Sequence, residues 1–471
     1  MSEQSREQSS TYTNPVYARN FPDPFVLRFN GRYYAYGTGP ADDGKYFPML
    51  TSTDLVHWEE RGGALDPLDL PGAEQYWAPE VAYSEGRFYM YYATGRTDDP
   101  DHHLRLATAD HPLGPWRDAG LNLTPHEIFA IDGHPYRDPR DGQWYLFYAC
   151  DELTAPYAGT GIVVDRLAAM DRLAGEKRPV LRPYSDWHVF ELARPVKNNL
   201  DWYTIEGPFV QQVEGRYICF YSGGRWENPN YGVGYAAADH PLGPWTDEDN
   251  AAQPQVLSTR PDEVVGPGHN SLVIGPDLVT PYVIYHAWDP GCTARSLRID
   301  PLIWSGTTPR CDGPTLEPRP VPAPPDVAVW FDEQDPQPKW KVQSGDPRQE
   351  EPAAGERGPN GWLPRREPPR DFVCETGVRT ETSEGGGYAV EAGDLRISAR
   401  AGELRVGRQT TPLPPGFRHD VWHRLLIRKV GGLLTVTLDE YPTLQVPCPS
   451  GSIPLALRGG HFSHFALHHL K

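Results

Sequence analysis

Five strand-turn-strand segments recur along the first two thirds of the chain, and four of them open on a carboxylate. They begin at Asp23 (PDPFVLRFNGRYYAYGT), Glu80 (PEVAYSEGRFYMYYATG), Asp132 (DGHPYRDPRDGQWYLFYA), Glu206 (EGPFVQQVEGRYICFYSGG) and Gly268 (GHNSLVIGPDLVTPYVIYHAW). Each passes from an apolar strand, through a turn that usually contains Gly, into a strand of alternating aromatic residues. Repeats of this period predict propeller blades, five of them, with more variation in length than a regular array shows. A propeller gathers the first residues of its innermost strands around one axis. Carboxylates recurring at that position therefore converge on one pocket.

A second repeat is in phase with the first. ADHPLGPW occurs at 109–116 and again at 238–245, and TSTDLVHWEE at 51–60 is a looser cousin. His-Pro-Leu-Gly-Pro is good turn chemistry, but turn chemistry alone does not give an identical octapeptide at matching places. Each copy is expected in an outer strand and turn of its blade.

The 471 residues suffice for two domains with an ample core. Fifty-one Pro, forty-six Gly and abundant Trp and Tyr suit an all-β, loop-rich protein. Only 165–177 (DRLAAMDRLAGEK) reads as helical. A formal net charge of −19 argues against nucleic acid as a partner. Six cysteines without ligand spacing argue against zinc or redox chemistry, and Cys150 and Cys219, in apolar strands, read as buried free thiols. The polar start MSEQSREQSS lacks an apolar signal core and no stretch is apolar enough to span a bilayer, so a cytoplasmic protein is expected, with no membrane partner.

Residues 1–12 read as a disordered tail and 13–310 as the five-bladed β-propeller. Residues 311–326, Pro-rich, read as a stiff linker. From 327 to 471 short alternating strands with Gly turns predict a β-sandwich. Its Trp-strand-Gly-Gly-strand unit and closing FSHFAL strand resemble concanavalin-like jelly-roll modules. Such a domain could be an independent carbohydrate-binding module, or could pack on the propeller and close one side of the pocket.

Each opening carboxylate has a bland reading and a sharp one. Asp23 lies between Pro22 and Pro24, which restrict it to extended geometry or make it a turn residue. Asp132 precedes Gly and suits a turn equally well. Glu206, between Ile205 and Gly-Pro-Phe, has an apolar neighbourhood that raises a carboxyl pKa and suits a general acid.

Taken together, NFPDPFVL, YWAPEV, IDGHPY, IEGPFV with FYSGG, and GPGHNSLV with YHAW resemble glycoside hydrolase family 43. The resemblance spans roughly residues 14–306, with all five motifs in order. It implies an inverting glycosidase in which Asp23 is general base, Glu206 general acid, and Asp132 the residue that orients the acid and tunes its pKa. Arg137-Asp138-Pro139 resembles a motif of retaining fructan hydrolases, but Asp138 falls in a turn, and Asp132 is preferred.

The resemblance further implies a Ca²⁺ or Na⁺ at the axis, held through His269 and waters, and a sugar-contacting arginine at Arg295, with Arg298 as the competing choice. Trp77, Glu80, His134, Trp226, Glu227 and Trp288 are candidate pocket-wall residues, although a core position explains each tryptophan as well. The expected activity is removal of terminal α-L-arabinofuranosyl units from arabinan or arabinoxylan oligosaccharides of plant cell walls. β-D-Xylosidase or dual activity is the alternative, and a propeller that binds carbohydrate without cutting it is the reading from another class.

Overall fold

The computed structural model describes residues 10–97, 101–153, 156–247, 252–331, 341–342, 370–381 and 388–470. Among these there is no α-helix, and no helix long and apolar enough to cross a membrane. The first blade is Phe25–Phe29, Arg32–Tyr36, Tyr46–Ser52 and Glu59–Leu65, and the second is Gln75–Ser84, Arg87–Gly95, His103–Ala109 and Arg117–Asn122. The third has Ala130–Arg137, Trp144–Glu152 and Gly159–Ala169, with Arg178–Leu181 outside. The fourth has Leu200–Val213, Arg216–Gly223 and Gly232–Ala238. The fifth, Val265–Ile274, Pro281–Trp288 and Arg295–Ser305, takes Tyr17–Asn20 as its outermost strand. The start of the propeller thus closes its end.

Both faces of each blade are covered by neighbours, which explains the aromatic second strands. Phe25, Tyr36, Phe47, Tyr76, Met90, Tyr92 and Trp116 fill the space between the first two blades. Phe147, Tyr217, Tyr221 and Trp245 do the same between the third and fourth. The octapeptides fold alike. Trp116 Nε1 donates to Pro112 O at 3.2 Å and Trp245 Nε1 to Pro241 O at 2.9 Å, each just after the third strand of its blade.

Three local expectations differ from the structure. Residues 165–177 form no helix: 165–169 end the strand Gly159–Ala169, which doubles back through Arg172–Leu173. Pairing of that strand with Trp144–Glu152 outweighs the helical propensity of Leu and Ala. Within the expected tail, Thr11–Tyr12 pair with Arg319–Pro320 of the expected linker, while residues 1–9 lie outside the described set. The Pro-rich passage is also held to the fifth blade, where Thr315 Oγ1 donates to Asp300 Oδ1 at 2.5 Å.

The C-terminal residues form two antiparallel sheets. One centres on Phe372–Arg379, His423–Val430 and His461–His469, the other on Tyr388–Ala392, Leu395–Arg400 and Leu455–Gly459. Phe372, Val390, Ile397, Leu425, Val436 and Phe465 make their common core. This sandwich docks on turns that end the first strands of four blades. A Cβ on Gly31 would lie 2.9 Å from His464, on Gly86 2.3 Å from Val421, and on Gly142 2.6 Å from Tyr441. Leu278 packs with Val373 and Ala466. Glu375 is the polar centre of the seam: buried, it pairs with Arg28 of the first blade, with Arg424 at 2.7 Å, and with His464 at 2.9 Å. Strand starts and strand-end turns are opposite ends of a blade. The described part of the sandwich therefore covers the far end, roughly 20 Å from the opening carboxylates at about 3.3 Å per residue, and does not close the pocket.

Candidate active site

Four of the five blades depart from regular pairing where their first strands begin, and the first blade alone pairs without a shift there. The register shifts between Trp77 and Glu80, Ile131 and His134, Glu206 and Phe209, and Gly268 and Ser271. At each shift one residue is left-handed: Ala78 (φ 46°), Asp132 (φ 58°), Gly207 (φ 57°) and His269 (φ 47°), with Asp23 (φ 51°) ahead of the first blade. Such a conformation costs a non-glycine residue about 1–2 kcal/mol and is concentrated at functional sites, where bulges re-aim side chains. Here it turns Asp23, Asp132 and His269 toward the axis. Gly207 leaves room for the ring of His269, which a Cβ there would meet at 3.3 Å.

Hydrogen bonds then tie each blade to the next around the axis. Ala78 N donates to Thr38 Oγ1 (2.7 Å), and His134 Nδ1 pairs with Glu80 Oε2 (2.7 Å). Gly207 N donates to Asp132 Oδ2 (2.9 Å), His269 N to Ser222 Oγ (2.7 Å), and Ser271 Oγ to Pro24 O (2.9 Å). The ring of five junctions is closed.

Within it the two half-buried carboxylates meet opposite surroundings. Burial pushes Asp23 up, but the charges of Arg295 and His269 outweigh it and hold the carboxyl well below the usual range; His286, kept neutral by burial, accepts from Asp23 N through Nδ1 at 3.0 Å. Arg295 Nη1 lies 3.1 Å from Asp23 Oδ1, His286 Nδ1 3.3 Å and His269 Nδ1 3.5 Å. Glu206 is pushed up, first by burial and then by the charge of Asp132; the hydroxyl of Tyr231, donating to Oε1 at 2.7 Å, opposes this only in part. Asp132, buried, is raised by desolvation and by Asp23 and Glu80. One carboxyl is thus kept ionised beside another kept protonated.

Asp23, Asp132, Glu206, His269 and Arg295 come together. Trp226 and Trp288 stand beside them, at 4.4 and 5.7 Å from the Arg295 guanidinium. The other candidates take other places. His134 is buried between strands: its Nε2 accepts from Val210 N at 3.0 Å, so Nδ1 carries the proton given to Glu80. The pair braces the third blade against the second. Trp77 stacks on His102 at 3.6 Å, and Glu227, exposed, pairs with Arg225. Asp138 is a turn residue bound by Tyr217 Oη at 2.6 Å and Arg140 N at 2.9 Å. Arg298 is buried in the fifth blade on the face of Tyr285 and Asp300, away from Asp23. Tyr231 and His286 are not among the sequence candidates, although His286 stands in YHAW; Tyr231 touches Glu206 and His286 touches Asp23.

Among the described residues no group of three or more His, Cys, Asp or Glu side chains is arranged as a metal cage. His269 nonetheless feels Asp23, Asp132, Glu206 and Glu80. One imidazole in that field of oxygen anions fits a hard cation held mostly by water, which would take the place of the proton those anions otherwise favour on the ring.

The profile of Glycosyl hydrolases family 43 matches residues 12–309. A β-D-galactofuranosidase of Aspergillus niger is 27% identical over 304 residues, covering 61% of this chain and 79% of that one. An extracellular exo-α-(1→5)-L-arabinofuranosidase of Streptomyces chartreusis is 27% identical over 292 residues, covering 59% and 82%. The crystal structure of a thermostable family-43 glycoside hydrolase superposes with a TM-score of 0.58 at 33% identity, over 66% of this chain and 99% of that one. With its propeller, its axial carboxylates and a profile match over most of its length, the chain belongs to glycoside hydrolase family 43.

Proposed function

We propose that the protein is an inverting exo-glycosidase that releases terminal α-L-arabinofuranosyl units from arabinan or arabinoxylan oligosaccharides. The observation that carries the reading is the opposed charge state of Asp23 and Glu206 within one axial cluster. Ionised Asp23 takes a proton from water as the water oxygen bonds to the anomeric carbon. The glycosidic C–O bond breaks, and the proton of Glu206 passes to the leaving oxygen. Asp132, one residue into the neighbouring bulge, keeps Glu206 protonated through its charge and orients it through Gly207. Both carboxyls then return to their starting states by exchange with solvent.

The furanoside-cleaving names of the relatives favour a five-membered ring in the pocket. A Ca²⁺ or Na⁺ on His269 would supply positive charge at the axis; titration of Ca²⁺ followed by the melting temperature tests it, with His269→Ala as control. Initial rates on p-nitrophenyl α-L-arabinofuranoside and β-D-xylopyranoside, side by side, test the sugar. Preference for the arabinoside is expected, preference for the xyloside replaces it with a xylosidase, and turnover of neither overturns both.

A further inference from the structure

The strand that carries Glu206 does not begin at the acid. It runs back to Leu200, and Val189–Arg194 folds against this extension, with Val189 opposite Tyr203, Glu191 opposite Trp202 and Arg194 opposite Leu200. A hairpin therefore stands past Glu206, on the side away from the turn at Glu214 and Gly215. No step of the hydrolysis above uses it.

Phe190, half-buried on this hairpin, lies between two guanidiniums, that of Arg194 at 4.5 Å from the ring centroid and that of Arg225 at 5.2 Å. Arg225 immediately precedes Trp226, whose indole lies against Arg295. The arginine that holds Asp23 and the two around Phe190 are thus joined through one short loop. The first lies on the side of the attacking water and the others lie past the acid. Arg194 is also within the electrostatic reach of Glu206. Both outer arginines are tethered but not used up: Arg194 meets Glu191 at 3.8 Å, and Arg225 uses Nε toward Glu227 at 2.5 Å. A guanidinium presents five donors in a fixed fork. Two such forks on one aromatic ring, carried by the segments that flank the acid, match the hydroxyl and ring oxygens of a sugar.

We propose that the hairpin at 189–203, with Arg225, forms the leaving-group subsite. Phe190 spaces Arg194 and Arg225 so that they donate to the oxygens of the sugar that follows the cleaved bond. This rests on Glu206 being the general acid. It makes the protein selective for oligosaccharides over simple glycosides.

Calorimetry in a Glu206→Gln background tests it, with α-1,5-arabinotriose, xylotriose and L-arabinose as probes. Phe190→Ala and Arg225→Ala are expected to weaken the bound trisaccharide about tenfold, the loss of one charge-assisted hydrogen bond, and to leave L-arabinose unchanged. Phe190→Tyr, which keeps the spacer, is expected to restore binding. With Glu206 intact, turnover of α-L-arabinofuranosyl fluoride, whose leaving group is no sugar, is expected to be the same in all variants. Trisaccharide binding that the variants leave intact, or equal losses for trisaccharide and arabinose, overturns the subsite alone. Failure of the parent to bind either trisaccharide overturns the proposed function and the subsite with it.

Discussion

Arg295 reaches Asp23 Oδ1 at 3.1 Å while its guanidinium lies 4.4 Å from the Trp226 indole. The aromatic contact fixes a cation that would otherwise swing into solvent, and the cation fixes the charge of the carboxylate. Glu206 instead has, among the described residues, the neutral hydroxyl of Tyr231 as its near donor. Two residues of the same chemical type thus acquire opposite proton affinities from what the fold places next to them.

The pH dependence follows from that asymmetry. In the proposed mechanism, turnover needs Asp23 ionised and Glu206 protonated. The lowered affinity of Asp23 puts the acid limb of kcat/KM below the usual carboxylate range, and the raised affinity of Glu206 puts the alkaline limb above it. A broad bell is expected, read as macroscopic values of a coupled site. A profile that falls through the ordinary carboxylate range on its alkaline side would contradict the assignment.

Asp132→Asn and Tyr231→Phe are expected to move the alkaline limb in opposite directions. The first removes a negative charge that keeps Glu206 protonated, so the limb moves to lower pH. The second removes a donor that favours the carboxylate, so the limb moves to higher pH. Profiles of kcat/KM for both variants check the pair, and shifts of the same sign would remove Glu206 as their common target.

Glu206→Gln is expected to lower kcat by about 10²–10⁴-fold on an oligosaccharide, the usual worth of a positioned acid. A 2,4-dinitrophenyl glycoside, whose leaving group departs without a proton, should lose far less. Equal losses on both substrates would assign the proton to another group.

At the seam between the domains, Glu375→Ala leaves the buried Arg28 without its partner and is expected to cost about 3–5 kcal/mol. Burial alone would raise Glu375, but Arg28 and Arg424 hold it well below its ordinary value. Its folded pKa lies below the unfolded one, so it stabilises above the ordinary carboxylate pKa and that stability is lost as pH falls. Denaturant melts at neutral and acid pH should therefore converge for parent and variant at the acid end. kcat on a small substrate is expected to stay near the parent value, because the described seam lies at the far end of the blades.

The blades, the turns and the opening acids were legible because they are local: a strand, a turn and an aromatic strand carry their own pattern. What holds the site together was not. His134 read as a pocket wall, and nothing in IDGHPY reveals that its two nitrogens bridge Glu80, fifty-four residues back, and Val210, seventy-six ahead. The equivalence of Ala78, Asp132, Gly207 and His269 was hidden for a similar reason. Motif starts align Glu80 and Glu206 with Asp132, whereas the bulge places Glu80 two residues later and Glu206 one earlier. At 165–177 a short helical pattern lost to strand pairing, a contest that only tertiary contacts decide.

The strand Tyr17–Asn20 is made before any blade and finds its partner, Arg295–Ser305, only in the fifth. A chain growing from its N-terminus therefore holds Asp23 for nearly the whole synthesis of the propeller without the arginine and the His269 charge that lower its proton affinity. Hydrolysis cannot accumulate in step with the emerging blades; it switches on when the fifth arrives, and its onset in a translation reaction would time ring closure itself.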